Sequence, residues 1–257
     1  MTAPPQTTRD DADAWAHPVD RLVATGTGAS VDTVTGRRVA GPIQGFGPMW
    51  QKTFAVRLEG VDITPESLVA HWRDRFPTFW PKGAHFYSPL SGIQPGEVAL
   101  LEVSSVPGSP VKMSTGVMVI YADREAFTFM TPEGHALSAW ITFSAFRDGD
   151  TTIAQAQALE RTADPIVELA FVLGGSRQND RFWEQTLTNL AVSVGVSEPV
   201  ITVQKVCVDG RRQWRHARNV RFSPALAMAV ATVTSPARWL RRRRAATAPP
   251  DVGPGSQ

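Results

Sequence analysis

The sequence is short of cysteine, histidine and lysine and lacks a long apolar run, and each shortage removes a class of protein. Cys207 is the one cysteine among 257 residues. Neither an intrachain disulfide nor a cysteine metal cluster can form, which fits a reducing, cytoplasmic setting. The five histidines, at 17, 71, 85, 135 and 216, show no metal-ligand spacing. No metal site and no cofactor is therefore expected. The longest apolar stretch, Ala225–Val233, is too short to span a bilayer. The opening residues, Met1-Thr-Ala-Pro-Pro, have neither a basic nor an apolar region, so no secretory leader is expected.

Apolar residues make up 42% of the chain and charged residues 19%, enough for a core and too apolar for a disordered chain. The net charge of +2 conceals a division. Residues 1–204 carry 15 basic and 22 acidic residues, whereas 205–257 carry 11 basic and 2 acidic ones. An acidic body with a basic end points to an anionic partner.

Hydrophobic periodicity supplies the fold. Phe54, Val56 and Leu58 alternate with polar neighbours, as in a strand with one buried face. Thr64 then caps a helix with Pro65 at its first position, and Leu68, Val69, Trp72 and Phe76 recur at helical spacing up to Pro77. Strands follow at 97–105, 111–121, 127–131, 139–146 and 151–161. Asp148-Gly149 reads as the two-residue hairpin turn between the last two, pairing Arg147 with Asp150. That turn puts Ala139, Ile141, Phe143 and Ala145 on one face with Thr152, Ala154, Ala156 and Ala158. The alanines are expected to face a long helix. This helix starts at Asp164-Pro165, runs to Val194, and is kinked by Gly174-Gly175. A run of strands with segregated helices is an α+β arrangement, a curved antiparallel sheet wrapped around a long C-terminal helix.

That element order resembles the helix-grip superfamily, the START-like or SRPBCC proteins, over roughly 50–220. The segments Trp50-Gln-Lys-Thr-Phe54, Phe79-Trp80-Pro81, Thr131-Pro-Glu-Gly-His135, Trp140-Ile-Thr-Phe143 and Arg181-Phe-Trp-Glu184 resemble an actinobacterial branch of it. The chain departs from the usual layout in having one clear helix after the first strand and a basic extension after the last helix. The organisation that follows is a partly disordered lead-in at 1–49 and a helix-grip, ligand-binding-type domain at 50–197. A basic extension covers 198–244, and a disordered tail covers 245–257.

Motifs with chemistry are few. Ser109-Pro-Val-Lys112 sits in a turn before a strand, the wrong context for a catalytic Ser-x-x-Lys. Glu133-Gly-His135 lies between two strands, where a helix-grip cavity has its rim. His135 with Glu133 is the candidate acid/base pair. The apolar face of 111–121 is the candidate cavity wall. Met113, Val117 and Tyr121 are therefore candidate ligand contacts, with His135 at the mouth and Arg177 as an anion contact. The expected function is binding of a hydrophobic or amphipathic small molecule. One alternative is a cyclase- or dehydratase-type enzyme using the same cavity. The other is a non-catalytic scaffold or peripheral membrane protein with a filled core. Arg238, Trp239, Arg241, Arg242, Arg243 and Arg244 suit an anionic membrane surface better than nucleic acid.

Overall fold

The computed structural model describes residues 11–18, 21–22, 31–32, 34–104 and 112–230. Its elements in chain order are β1 (Val31–Asp32), β2 (Met49–Arg57), α1 (Pro65–Asp74), β3 (His85–Tyr87), β4 (Val98–Ser104), β5 (Lys112–Ala122), β6 (Ala126–Met130), β7 (Leu137–Asp148), β8 (Thr151–Thr162), α2 (Pro165–Ala170), α3 (Ser176–Ser193) and β9 (Ile201–Asp209). Both helical starts use the chemistry read from the sequence. The Thr64 side chain accepts the Ser67 N–H, and Asp164 accepts the N–H groups of Ile166 and Val167. The kink at Gly174-Gly175 is a π-helical turn over Phe171–Gly175, with Gly174 at φ 127°.

The strands form one sheet in the order β3-β4-β5-β6-β7-β8-β2-β9, antiparallel along that path, with β1 parallel to β5. Two helical units cover its inner face differently. α1 packs on β7 and β8, while α3 lies along β2 and β9. Under α1 the core is solid and aromatic. Trp72 stands edge-on to Phe143 (5.1 Å between ring centres), and Phe76 is within 5.5 Å of Phe127 and 5.0 Å of Phe143. Among the described residues no helix is long and apolar enough to cross a membrane.

The structure defines four details more closely. First, Asp148 pairs with Thr151, so the hairpin loop is Gly149-Asp150 rather than Asp148-Gly149, and Arg147 sits opposite Thr152. Gly149 has φ 61° and Asp150 does not have positive φ, the type II′ pattern with glycine first. The shift is two residues in pairing, so the faces are unchanged. Second, Ala154 and Ala156, each fully buried, sit in a core shared by both helical units: Ala156 pairs with Phe143, whose ring meets Trp72 of α1 and Trp183 of α3. Third, the β5–β6 register shifts between Val119 and Tyr121. This bulge turns Tyr121 to the outer face, where its ring meets Trp15 (4.7 Å) and its hydroxyl donates to Asp123 Oδ2 (2.7 Å). Fourth, the basic extension from 198 opens with β9, which pairs with β2 along its length.

Arg211 and Arg212 bond to Asp209 and Glu168, and Asn219 donates to the carbonyls of Gln44 and Ala163. The basic segment following β9 is thus docked on the body. Arg238, Trp239 and Arg241–Arg244 lie outside the described residues.

Ala156 is fully buried and paired with the equally buried Phe143. Ala156→Leu should cost about 1–3 kcal/mol through overpacking, read as a lower denaturation midpoint with unchanged slope.

Candidate functional site

The other half of the inner face is not solid. The ends of β4 to β8 farthest from α1 meet the π-helical turn and the first half of α3 around a cavity of about 210 Å³. Phe171, Phe182 and Trp183 close it from the helix side, and Leu101, Val117, Phe129, Ile141 and Ala158 form its sheet wall. Phe76, Trp80 and Phe86 close the end nearest α1, with Trp80 edge-on to Phe182 (4.9 Å). The strand alternation creates this wall, since side chains two apart share a face.

Polar groups interrupt the wall at a few places. Glu160 lies on the cavity side of β8, only 4% exposed, and Lys52 Nζ bonds its Oε1 at 2.7 Å. Lys52 also reaches Asp180 Oδ1 of α3 at 2.9 Å, and Asp180 Oδ2 takes Lys205 of β9 at 2.5 Å. Burial alone would lower the Lys52 pKa, but the two carboxylates outweigh it and hold the ammonium above its usual range. Burial pushes the Glu160 carboxyl up, against the attraction of Lys52. The neighbouring Asn179 amide tempers that shift. Its Nδ2 falls short of hydrogen-bond geometry with any described group, and the same holds for two other buried atoms of the lining, Trp80 Nε1 and Thr115 Oγ1.

The expected site residues divide. Val117 and His135 line the cavity. Met113 sits opposite Val103 in the β4–β5 ladder, and Val103 lines the cavity. Tyr121 is outside it for the reason given above. Arg177 is exposed on the first turn of α3 and does not line the cavity. Glu133 borders a smaller adjoining cleft of about 30 Å³, which His135 also lines. The His135 ring is engaged by the Leu137 backbone, with Nδ1 3.0 Å from its nitrogen and 3.1 Å from its oxygen, and not by Glu133. Burial pushes the His135 pKa down to about 4, so the ring is neutral at physiological pH. The expected Glu133–His135 pair is therefore not assembled.

Sequence reasoning missed Lys52, Glu160 and Asn179. The signal was present for the first two. Lys52 shares parity with Phe54, Val56 and Leu58, and Glu160 with Ala154, Ala156 and Ala158. Opposite charges on the buried faces of neighbouring strands mark a buried pair.

Two outcomes follow. Lys52→Met leaves two buried carboxylates short of a partner and should cost about 3–5 kcal/mol in denaturant titration. A carboxyl whose folded pKa is raised favours the folded state at low pH and loses that contribution as pH rises. The deficit should therefore be smaller near pH 5 than near pH 8. For His135 the sign is opposite: its folded pKa lies below the unfolded value of ~6.5. Wild type should lose stability as pH falls from ~6.5 toward 4, by on the order of 2 kcal/mol more than His135→Gln.

No protein-family model and no curated protein matches the chain. Solved structures do align with it. The NMR solution structure of the KanY protein is 14% identical, covers 56% of this chain and 96% of its own, and gives a TM-score of 0.44. The di-domain ARO/CYC StfQ from the steffimycin biosynthetic pathway is 10% identical, covers 56% of this chain and 50% of its own, and scores 0.43. A START superfamily protein from Mycobacterium smegmatis is 18% identical, covers 58% of this chain and 97% of its own, and scores 0.37. The assignment itself rests on this chain's strand order, the helix α1 following β2 and the long helix against the inner face of the sheet: the chain is an α+β helix-grip protein.

Proposed function

We propose that this chain binds a compact, largely apolar small molecule that carries hydrogen-bonding groups, held between the sheet and α3. One observation carries the reading. The apolar cavity of about 210 Å³ is bordered by three buried polar atoms that lack a well-formed hydrogen bond among the described residues, Trp80 Nε1, Thr115 Oγ1 and Asn179 Nδ2, the last lying near the Glu160 carboxyl without reaching good geometry. Buried polar groups in folded proteins are normally hydrogen-bonded, so their open valences define what an occupant must offer. Trp80 Nε1 and Asn179 Nδ2 only donate, so the ligand presents acceptors to them; the Thr115 hydroxyl takes either role. The cavity is below the ~300–1,000 Å³ usual for drug-sized ligands, which favours one or two rings over a long acyl chain.

An enzyme in the same cavity has one observation in its favour, the buried Glu160 carboxyl with its pKa raised. In that reading Glu160 is the acid/base group, and His135, neutral at physiological pH, serves as a hydrogen-bonding contact. Cytoplasmic placement remains the setting we propose, on the cysteine usage alone.

Native mass spectrometry of the protein purified under mild conditions should reveal a co-purified small molecule. Binding of 2-naphthol, a two-ring probe with one hydroxyl, provides the second test. Ala158→Leu grows into the cavity rather than into packed core. It should weaken 2-naphthol binding by ~10-fold or more, equivalent to ~1.4 kcal/mol, while leaving stability near wild type. Full 2-naphthol binding by Ala158→Leu would contradict the cavity as the binding site.

A further inference from the structure

The segment that closes the cavity also carries an apolar ridge on its outer side. Ile166, Leu169, Val172 and Leu173 are 38%, 59%, 67% and 78% exposed. Spacings of three, three and one align them along one side of α2 and the π-helical turn. The opposite side of α2 buries Val167 and Glu168. Four large aliphatic side chains in eight residues are more than a surface helix needs, and contiguous exposed apolar area marks an interaction site.

The charges around the ridge are sorted by sign. The acidic residues from 164 to 181 all turn inward: Asp164 caps α2, Glu168 pairs with Arg212, and Asp180 pairs with Lys52 and Lys205. The basic residues turn outward. Arg177 and Arg181 are exposed on the first turns of α3. The segment Trp214–Phe222, which carries Arg215, Arg218 and Arg221 and no acidic residue, packs against α2. An aliphatic ridge flanked by arginines complements an anionic lipid surface, with acyl chains for the ridge and phosphates for the guanidinium groups. A protein partner or a second copy would have to supply a matching acidic rim.

We propose that the α2–α3 kink, through Leu169, Val172, Leu173, Arg177 and Arg181, docks this protein on an anionic bilayer. Phe171 lies in the same turn and lines the cavity, so docking places the cavity's helix wall against the membrane. The proposal is independent of what fills the cavity and stands apart from the C-terminal arginines, which attract the same lipids.

The test must therefore report position. In the full chain carrying Cys207→Ser, an environment-sensitive nitrobenzoxadiazole fluorophore is attached at Leu173→Cys. It is attached in a second protein at Asp150→Cys, in the hairpin loop at the other end of β8. Addition of vesicles of phosphatidylcholine and phosphatidylglycerol at about 7:3 should shift emission at 173 to the blue and raise it roughly two-fold or more, as expected for insertion at the headgroup boundary. The label at 150 should not respond, phosphatidylcholine alone should give no response at 173, and Arg177→Glu with Arg181→Glu should abolish it. An unresponsive label at 173 while the chain sediments with the vesicles would overturn the proposal and assign binding to the C-terminal arginines. A rise at 173 with protein concentration in the absence of lipid would also overturn it, in favour of a second copy.

Discussion

Lys52 holds the two layers of this protein together. Its ammonium bonds Glu160 of the adjacent strand and Asp180 of α3, and Asp180 passes the connection on to Lys205 of β9. Four charged groups from β2, β8, α3 and β9 thus compensate one another, three of them almost out of reach of water and Lys205 at the exposed margin. A buried charge is tolerable only when paired, and an apolar replacement of all partners can match it in stability. What the ionic cluster adds here is position: it fixes where α3 lies over β2 and β9. Because the helix is held there, the far ends of β4 to β8 are left partly uncovered, and the cavity is the space that results.

The same inner face carries two kinds of packing for a reason visible in single residues. At the α1 end, Trp72, Phe76, Phe127 and Phe143 interdigitate over Ala154 and Ala156, small residues that let the ring layer close completely. Two residues along β8, Ala158 is just as small, but no ring fills the volume above it. The π-helical turn with Gly174 interrupts the helix there, and Phe171 and Phe182 stand around the space instead of in it. Alanine in β8 therefore means close packing at 156 and a ligand-sized opening at 158.

Much of this architecture was legible in the sequence. The two helix starts were written as Thr64-Pro65 and Asp164-Pro165, the kink as Gly174-Gly175, and the strand faces as period-two alternation. The strands 97–105 and 111–121 pair as β4 and β5, with Val103 opposite Met113 in the register. What failed were local backbone events that alternation does not encode. A one-residue bulge beyond Val119 reverses the facing of Tyr121, and Asp-Gly read as a turn pair gives way to Gly-Asp in a II′ turn. The candidate site was less legible than the fold. His135 and Val117 line the cavity, but its polar character depends on Asn179, Trp80 and Glu160, which meet only when a helix, a loop and a strand distant in sequence are packed together. Periodicity assigns a face to a residue; it does not say whether the space on that face is filled.

The central claim is that the cavity is built for an occupant and not left as a packing defect. A high-resolution crystal structure of the protein isolated with its bound small molecules tests this most directly. The account predicts density for a compact molecule with polar atoms within ~3.2 Å of Trp80 Nε1 and Asn179 Nδ2. A closed site, with Phe171 or Phe182 turned inward and those two donors bonded to other protein groups, would contradict it.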